Sequence, residues 1–204
     1  MSRELILVRH GQTVHNVAGI AQGWNDSDLS DLGRTQVQRL AERVALLRPT
    51  ALYSSSLGRA LSTAEAIARK TGLTVVPLDD LREMSYGGWE GKSFLDVRRE
   101  DEEIYQRWIV DAECACPEGE SHADVRRRME RAFAAIAESK DAERAVVVTH
   151  GTAIRIAVTA LLDLPTMTSR HFAQDNASLN RFLWRQDRWV LKVWNDTTHC
   201  RDER

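Results

Sequence analysis

The stretch ILVRHG, residues 6–11, and its counterpart VVVTHG, residues 146–151, decide the fold that we predict for this chain. Each begins with a continuous apolar run, which is typical of a β-strand buried on both faces. Each ends in a histidine followed by a glycine, which lets the chain turn sharply and expose backbone N–H groups. Because open α/β sheets bind ligands outside the carboxyl ends of their strands, we expect His10 and His150 to lie over one crevice.

Strand-like and helix-like segments alternate between and around these two stretches. This alternation predicts a three-layer α/β/α sandwich with a mostly parallel central sheet, and we expect a single domain over residues 1–204. The predicted strands are Leu5–Val8, Ala51–Ser54, Thr74–Pro77 and Ala145–Thr149, and the predicted helices run from Ser30 to before Pro49, then over 57–70, 96–110, 121–139 and 152–162.

Two segments depart from the alternation. Residues 85–125 are predicted to form a small helical lid over the carboxyl edge of the sheet. Near the C-terminus, Leu179–Trp184 and Trp189–Trp194 resemble a hairpin that turns at Gln186-Asp187. We expect that this hairpin could pair across a homodimer.

Composition and charge limit the partners of the chain. The formal net charge is −2, which argues against nucleic acid or an anionic membrane as the main partner. No apolar stretch approaches the roughly 18 residues of a membrane span, and the N-terminal apolar run is too short for a signal peptide. Three cysteines cannot all pair, so we expect reduced thiols and a cytoplasmic location. A metal site built on Cys114, Cys116 and His122 lacks a fourth ligand at suitable spacing, and we expect no metal.

Two further segments carry candidate functional residues. In SSSLGRALSTAEAIA, residues 54–68, a strand enters a helix and Arg59 occupies the first helical turn. Because an arginine is electrostatically unfavourable at a helix N-terminus, its position suggests an anionic ligand beside it. In LREMSYGGWEG, residues 81–91, Glu83 lies in a glycine-rich loop after the third strand.

Together these segments resemble the histidine phosphatase superfamily, whose fold is the phosphoglycerate mutase-like sandwich. The resemblance covers most of the chain from Ile6 to about Arg155, and within the family it is greatest to broad-specificity and alpha-ribazole-type phosphatases. The motifs that carry it are LVRHGQT followed by Asn16, QGWNDSDLSDLGRTQ, the block 54–68, LREMSYGGWEG, PEGES at 117–121, and VVVTHG.

The resemblance implies a mechanism. Neutral His10 would attack the phosphorus of a small phosphorylated metabolite and form a phosphohistidine that water then hydrolyses. Arg9, Arg59 and a protonated His150 would hold the phosphate oxygens. Glu83 would act as general acid and then as general base. No metal or other cofactor is implied, because the arginines neutralise the charge.

The resemblance also implies a set of substrate-binding positions. Asn16 would hydrogen-bond the phosphate or orient the nucleophile, and Gln22 and Gly23 would line the substrate entrance. Tyr86 and Gly151 complete the expected phosphate and substrate site.

The choice between phosphatase and phosphoglycerate mutase depends on the middle of the chain. The mutases of the family carry an inserted segment with extra arginines, whereas His150 follows Glu83 by only 67 positions here. This favours a phosphatase, although Tyr86 stands where mutases also have a tyrosine. An inactive phosphate-binding module and a metal-dependent hydrolase are the remaining alternatives.

The sequence assigns no role to His122, His199, Trp24 or Trp89.

Overall fold

Six β-strands form one sheet at the centre of the computed structural model, which describes residues 3–200 of the predicted domain. Residues 1–2 and 201–204 lie outside the described range. The strands are β1 (Glu4–Arg9), β2 (Ala51–Ser55), β3 (Val75–Leu78), β4 (Arg144–Thr149), β5 (Leu179–Arg185) and β6 (Arg188–Asp196). Their order is β3-β2-β4-β1-β5-β6. The first four strands pair in parallel and the last two are antiparallel, so the predicted mostly parallel sheet is confirmed.

Helices cover both faces of this sheet. The α-helices are α1 (Val14–Ala18), α2 (Asp31–Leu46), α3 (Gly58–Thr71), α4 (Phe94–Glu100), α5 (Glu102–Trp108), α6 (His122–Glu138) and α7 (Gly151–Leu161). Side chains of β1 point alternately to the two faces of the sheet. Ile6 and Val8 pack with α2 and α3 on one face. Leu5 and Leu7 pack with α6 and α7 on the other. All four are almost fully buried, which explains why a central strand reads as an unbroken apolar run. Within residues 3–200, no helix has the length and apolar character needed to cross a membrane.

Local signals in the sequence set the ends of the main helices. The Ser30 hydroxyl accepts the Gly33 N–H at 3.0 Å and caps α2, and Ser121 and Asp124 form a reciprocal capping box at the start of α6. Gly72 ends α3 in the left-handed conformation. The C-terminal hairpin is also as predicted, with Gln186 and its neighbour forming the turn at positive φ.

The predicted single helix over 96–110 is wrong. The structure has two short helices, α4 and α5, which meet at a break at Asp101. The carboxylate of Asp101 accepts a hydrogen bond from Nε1 of the buried Trp89 at 2.7 Å. This contact joins residues twelve positions apart, so helical periodicity alone does not reveal it. Short elements that the sequence did not predict are α1 and the 3₁₀-helices Asp79–Leu81, Gly87–Trp89, Thr166–His171 and Thr198–Cys200.

The segment 85–125 packs through aromatic side chains. Phe94 and Trp108 stack with ring centroids 6.0 Å apart, and Tyr86 meets Phe94 edge-on at 5.3 Å. Trp89 contacts Trp108 edge-on at 5.5 Å and is fully buried. These rings join the hydrophobic core on the α6–α7 side of the sheet. The segment therefore reaches the functional crevice through Tyr86 and Phe94, and its movement as a lid stays a prediction.

Candidate active site

The two sequence-predicted histidines lie side by side at the carboxyl edge of the sheet. In the parallel pairing of β1 with β4, Arg9 is opposite Thr149, so the next residue of each strand is a histidine. The ring centroids of His10 and His150 are 5.1 Å apart. Both side chains are buried. The strand register therefore brings the two imidazoles into one crevice.

The hydrogen bonding of His10 determines which of its nitrogens is free. Nδ1 lies 2.7 Å from the carbonyl oxygen of Gly11, and because a carbonyl only accepts, Nδ1 carries the proton. Nε2 is then unprotonated. Burial, followed by the guanidinium charges of Arg59 and Arg9, lowers the pKa of His10 well below its usual value. His10 is therefore neutral near pH 7 and keeps a lone pair on Nε2.

His150 is also held neutral near pH 7. Its Nε2 is 2.7 Å from the hydroxyl of Ser55, at the end of β2. Burial, followed by repulsion from Arg59 and His10, lowers the pKa of His150 well below its usual value. The proton that the resemblance places on His150 belongs to the phosphate-bound state, and it stays a prediction.

Arg9 and Gly151 meet across the crevice. The guanidinium of Arg9 donates to the carbonyl of Gln174, while its Nε is buried without a hydrogen-bond partner among residues 3–200. Burial, with Glu83 opposing it and Arg155 adding to it, lowers the pKa of Arg9. A Cβ atom at Gly151 would lie 3.2 Å from the Arg9 guanidinium carbon, so a glycine there leaves room for this cation.

Arg59 reaches the site from the first turn of α3, with its side chain buried. Its Nη2 donates to the carbonyl of Gly23 at 2.7 Å, and its Nη1 lies 3.1 Å from Asp26 Oδ1. Asp26 also accepts the backbone N–H groups of Gly58 and Arg59, because Leu57 offers no capping side chain. The sequence suggested a ligand as the negative partner of Arg59, whereas the structure supplies Asp26 from a distant loop.

Glu83 lies against the N-terminus of α7 and lines the same pocket as His10. Its carboxylate accepts the backbone N–H groups of Thr152 and Ala153, at 3.1 and 2.9 Å, and that of Met84 at 3.0 Å. Two of these donors belong to the first helical turn, whose dipole favours a negative group. The hydrogen bonds fix the orientation of the carboxylate at the edge of the pocket.

The entrance residues are held by polar contacts from other segments. Asn16 Oδ1 accepts from Thr13 N and from Asn176 Nδ2, at 3.1 and 2.9 Å. Gln22 accepts the Thr13 hydroxyl at 3.1 Å. Gly23 has φ +53°, and a Cβ there would lie 2.0 Å from Glu90. Only a glycine allows this approach, by which Glu90 also accepts the N–H of Trp24.

These residues line one cavity of about 200 Å³. Its lining includes every residue that the sequence assigned to the site except His150, which is fully buried beside His10. Tyr86 joins the lining with its hydroxyl 2.7 Å from Thr152 Oγ1. Six further lining residues were missed: Ile20, Ala21, Phe94, Thr152, Arg155 and Gln174. A signal existed for Arg155, which lies five positions after His150 on the helix that begins at the crevice.

The residues left without a role lie outside the pocket lining. His122 is buried with its ring 4.8 Å from that of Trp108, and His199 contacts the carbonyl of Ala177 at 2.9 Å. Trp24 is partly exposed and donates to the Glu83 carbonyl at 2.8 Å. Within residues 3–200, no three His, Cys, Asp or Glu side chains are grouped to hold a metal ion.

A buried ion pair holds the backbone that carries Glu83. Arg128, on α6, contacts the two carboxylate oxygens of Glu120 at 2.8 and 2.9 Å. The same guanidinium donates to the carbonyls of Asp80, Arg82 and Glu83. Glu120 in turn accepts the N–H of Ser85 at 2.8 Å. Glu120 belongs to the PEGES motif, so this motif fixes the loop that presents Glu83.

A pocket lined by His10 and three arginines, with His150 buried beside His10, defines a candidate phosphoryl-transfer site. Comparison with known proteins assigns the family. The family model for the histidine phosphatase superfamily (branch 1) matches residues 5–197. The chain therefore belongs to this superfamily and is a phosphoryl-transfer enzyme.

Similar proteins include mutase-named and phosphatase-named relatives. The probable phosphoglycerate mutase GpmB of Yersinia pestis is 34% identical over 202 residues, covering 96% of this chain and 94% of that protein. A mycobacterial glucosyl-3-phosphoglycerate phosphatase, solved with VO3, is 35% identical with a TM-score of 0.86, covering 95% and 99% of the two chains. The alpha-ribazole phosphatase of Shigella flexneri is 29% identical with a TM-score of 0.86, covering 95% and 96%. These likenesses confirm the predicted fold and the resemblance to the phosphatases.

The ion pair of Arg128 with Glu120 predicts a large effect on stability. Glu120→Gln leaves a cation with 7% side-chain exposure without its carboxylate, so the free energy of unfolding should fall by about 2–4 kcal/mol. Glu42→Gln breaks the exposed pair with Lys70 and should cost less than about 1 kcal/mol. Chemical denaturation measures both. Equal losses would contradict the assigned role of the pair.

The buried His122 predicts a pH dependence of stability. Burial, followed by repulsion from Arg155 and Arg170, lowers the pKa of His122 to about 4. As pH falls below about 6.5, the unfolded chain binds a proton at this residue while the folded protein does not, so stability is lost. Between pH 7.5 and pH 5 the loss from His122 should be about 2 kcal/mol.

The matched variants for this pH effect are His122→Gln and, on the surface, His171→Asn. The difference between the unfolding free energies at pH 7.5 and at pH 5 should be about 2 kcal/mol smaller in His122→Gln than in wild type. His171→Asn should keep the wild-type difference. If His122→Gln has the same pH dependence as wild type, another group is responsible.

Proposed function

We propose that this enzyme is a metal-independent phosphomonoester hydrolase that forms a phosphohistidine on His10. The observation that carries the proposal is the bond from Nδ1–H of His10 to the Gly11 carbonyl at 2.7 Å. It leaves the lone pair of Nε2 available in a pocket lined by Arg9 and Arg59. A neutral imidazole surrounded by fixed cations is both nucleophilic and attractive to a phosphate dianion.

The charges of the pocket suit the transfer of a phosphoryl group. Arg9 and Arg59 would bind the non-bridging oxygens and stabilise the charge on them in the transition state. The negative charge of a bound phosphate would favour a proton on His150, which then becomes a third donor. These groups supply the neutralising charge that a divalent metal supplies in other phosphoryl-transfer enzymes. This supports the metal-independent proposal.

Glu83 would move the protons of the two steps. In the first, Nε2 of His10 forms a bond to phosphorus as the bond to the alkoxide oxygen breaks, and that oxygen takes the proton of Glu83. In the second, Glu83 takes a proton from water while the water oxygen bonds to phosphorus and the N–P bond breaks. The products are the alcohol and inorganic phosphate. The orientation of Glu83 by three backbone N–H groups supports this role.

Water is the proposed final acceptor rather than a second metabolite. His150 follows Glu83 by 67 positions, and this segment does not carry the insertion that the family resemblance associates with mutases. The two solved relatives above are named as phosphatases, whereas the Yersinia relative is named as a probable mutase. We propose a small phosphorylated metabolite as substrate, since the cavity is only about 200 Å³. The three free cysteines suit a reducing cytoplasm.

The leaving group gives a test of Glu83. For an alkyl phosphate, whose alkoxide needs a proton, Glu83→Gln should lower kcat/KM for phosphate release by about 10²–10⁴-fold. For p-nitrophenyl phosphate, whose leaving group needs no proton, the loss should be less than about tenfold. The ratio of the two losses is independent of how much of the variant is folded. Equal losses for both substrates would remove Glu83 from the proton transfer.

The same assay separates the alternatives. Wild-type activity should persist in EDTA, and a loss that divalent metal restores would contradict metal independence. Phosphate should be released without added 2,3-bisphosphoglycerate. If the enzyme instead needs that compound and interconverts phosphoglycerates faster than it releases phosphate, it is a mutase. Tight phosphate binding without turnover would identify an inactive module.

A further inference from the structure

One cation of the pocket has no task in the mechanism above. Arg155 lies on α7 and lines the cavity with Arg9 and His10. Within residues 3–200 its guanidinium makes one hydrogen bond, from Nη2 to the Thr152 hydroxyl at 2.9 Å, and no ion pair. A half-buried guanidinium with five donors and one neutral acceptor has unused binding capacity.

The pocket holds more positive charge than a phosphate needs. Of the described residues, three arginines line it, and the only acidic side chain among them is that of Glu83. The oxygens of Glu83 already accept three backbone N–H groups. Arg59 has an ion pair with Asp26, so it is held in place before substrate arrives. Arg9 and Arg59 are assigned to the phosphate, which leaves the charge of Arg155 uncompensated.

The positive charge of Arg155 also repels charged groups near it. Its charge adds to the lowering of the pKa of Arg9 and of His122, which means that the three groups repel one another when charged. An uncompensated cation close to a buried site is unfavourable unless an anion binds beside it. The phosphate is held at the histidines, so a second anionic group of the substrate is the natural partner.

We propose that Arg155 forms a second anion-binding subsite and that the preferred substrates are small phosphomonoesters bearing a carboxylate. The planar fork of a guanidinium matches the two oxygens of a carboxylate. Thr152, whose hydroxyl contacts both Arg155 and Tyr86, orients the guanidinium towards the cavity. The volume of about 200 Å³ requires the carboxylate to be close to the phosphate. This inference rests on the proposed function and names its substrate class.

A pair of substrates that differ in one group tests the subsite. In 3-phosphoglycerate a carboxylate replaces the terminal hydroxymethyl group of glycerol 3-phosphate, and both lose phosphate from the same kind of carbon. Wild-type enzyme should prefer 3-phosphoglycerate in kcat/KM by about 10–100-fold, the range expected for a charge-assisted hydrogen-bonded pair. In Arg155→Gln the preference should fall to within about threefold, and Arg155→Lys should retain part of it.

The control variant is Arg127→Gln, on the outer surface of α6, where the arginine side chain is 54% exposed. It should keep the wild-type preference. Because the measured quantity is a ratio within each protein, partial unfolding of a variant does not change it. A wild-type ratio near one, or a ratio unchanged in Arg155→Gln, would overturn the inference.

Binding without turnover separates this inference from the proposed hydrolysis. In a His10→Ala background, calorimetry should show tighter binding of 3-phosphoglycerate than of glycerol 3-phosphate, and the added Arg155→Gln should abolish the difference. Equal affinities in His10→Ala would overturn the subsite even if wild type hydrolyses both compounds. If wild type releases no phosphate but the affinities differ as expected, the subsite stands and the proposed hydrolysis fails.

Discussion

The parallel pairing of β1 with β4 is the constraint on which the site depends. Its register places Arg9 opposite Thr149, so two histidines follow at the same height with ring centroids 5.1 Å apart. Burial among arginines then lowers the pKa of both imidazoles. The sheet thus helps to create a positively charged pocket in which His10 is neutral. An anion bound there would relieve the repulsion between the arginines and the imidazoles.

Three acidic residues outside the cavity lining hold the site together. Asp26 pairs with Arg59 and caps α3. Glu90 fits against Gly23 and fixes the entrance loop through backbone N–H groups. Glu120 joins Arg128 to the loop that carries Glu83. Each carboxylate is used twice, to neutralise or orient a group and to pin a backbone segment, so the geometry of the pocket depends on residues that no substrate touches.

The sequence was informative where structure is local. Apolar runs predicted β1 and β4, and Ser30 predicted the start of α2, because a buried strand and a cap are encoded within a few residues. Contacts between distant segments were beyond such reasoning. The break at Asp101 depends on the indole of Trp89, and the ion pair of Arg59 depends on a loop more than thirty residues earlier. Family resemblance named most of the pocket residues, but the guanidinium of Arg155, which has no ion pair within residues 3–200, became visible only once its neighbours were located.

The covalent intermediate on His10 is the central claim, and trapping it is the most direct measurement. The enzyme is mixed briefly with substrate, denatured at alkaline pH to preserve an acid-labile N–P bond, and digested for mass spectrometry. The account predicts one phosphoryl group on the peptide that contains His10, none in His10→Ala, and an undiminished level in the surface variant His171→Asn. Phosphate release by wild type with no phosphoryl group on this peptide, or with one that persists in His10→Ala, would contradict the account.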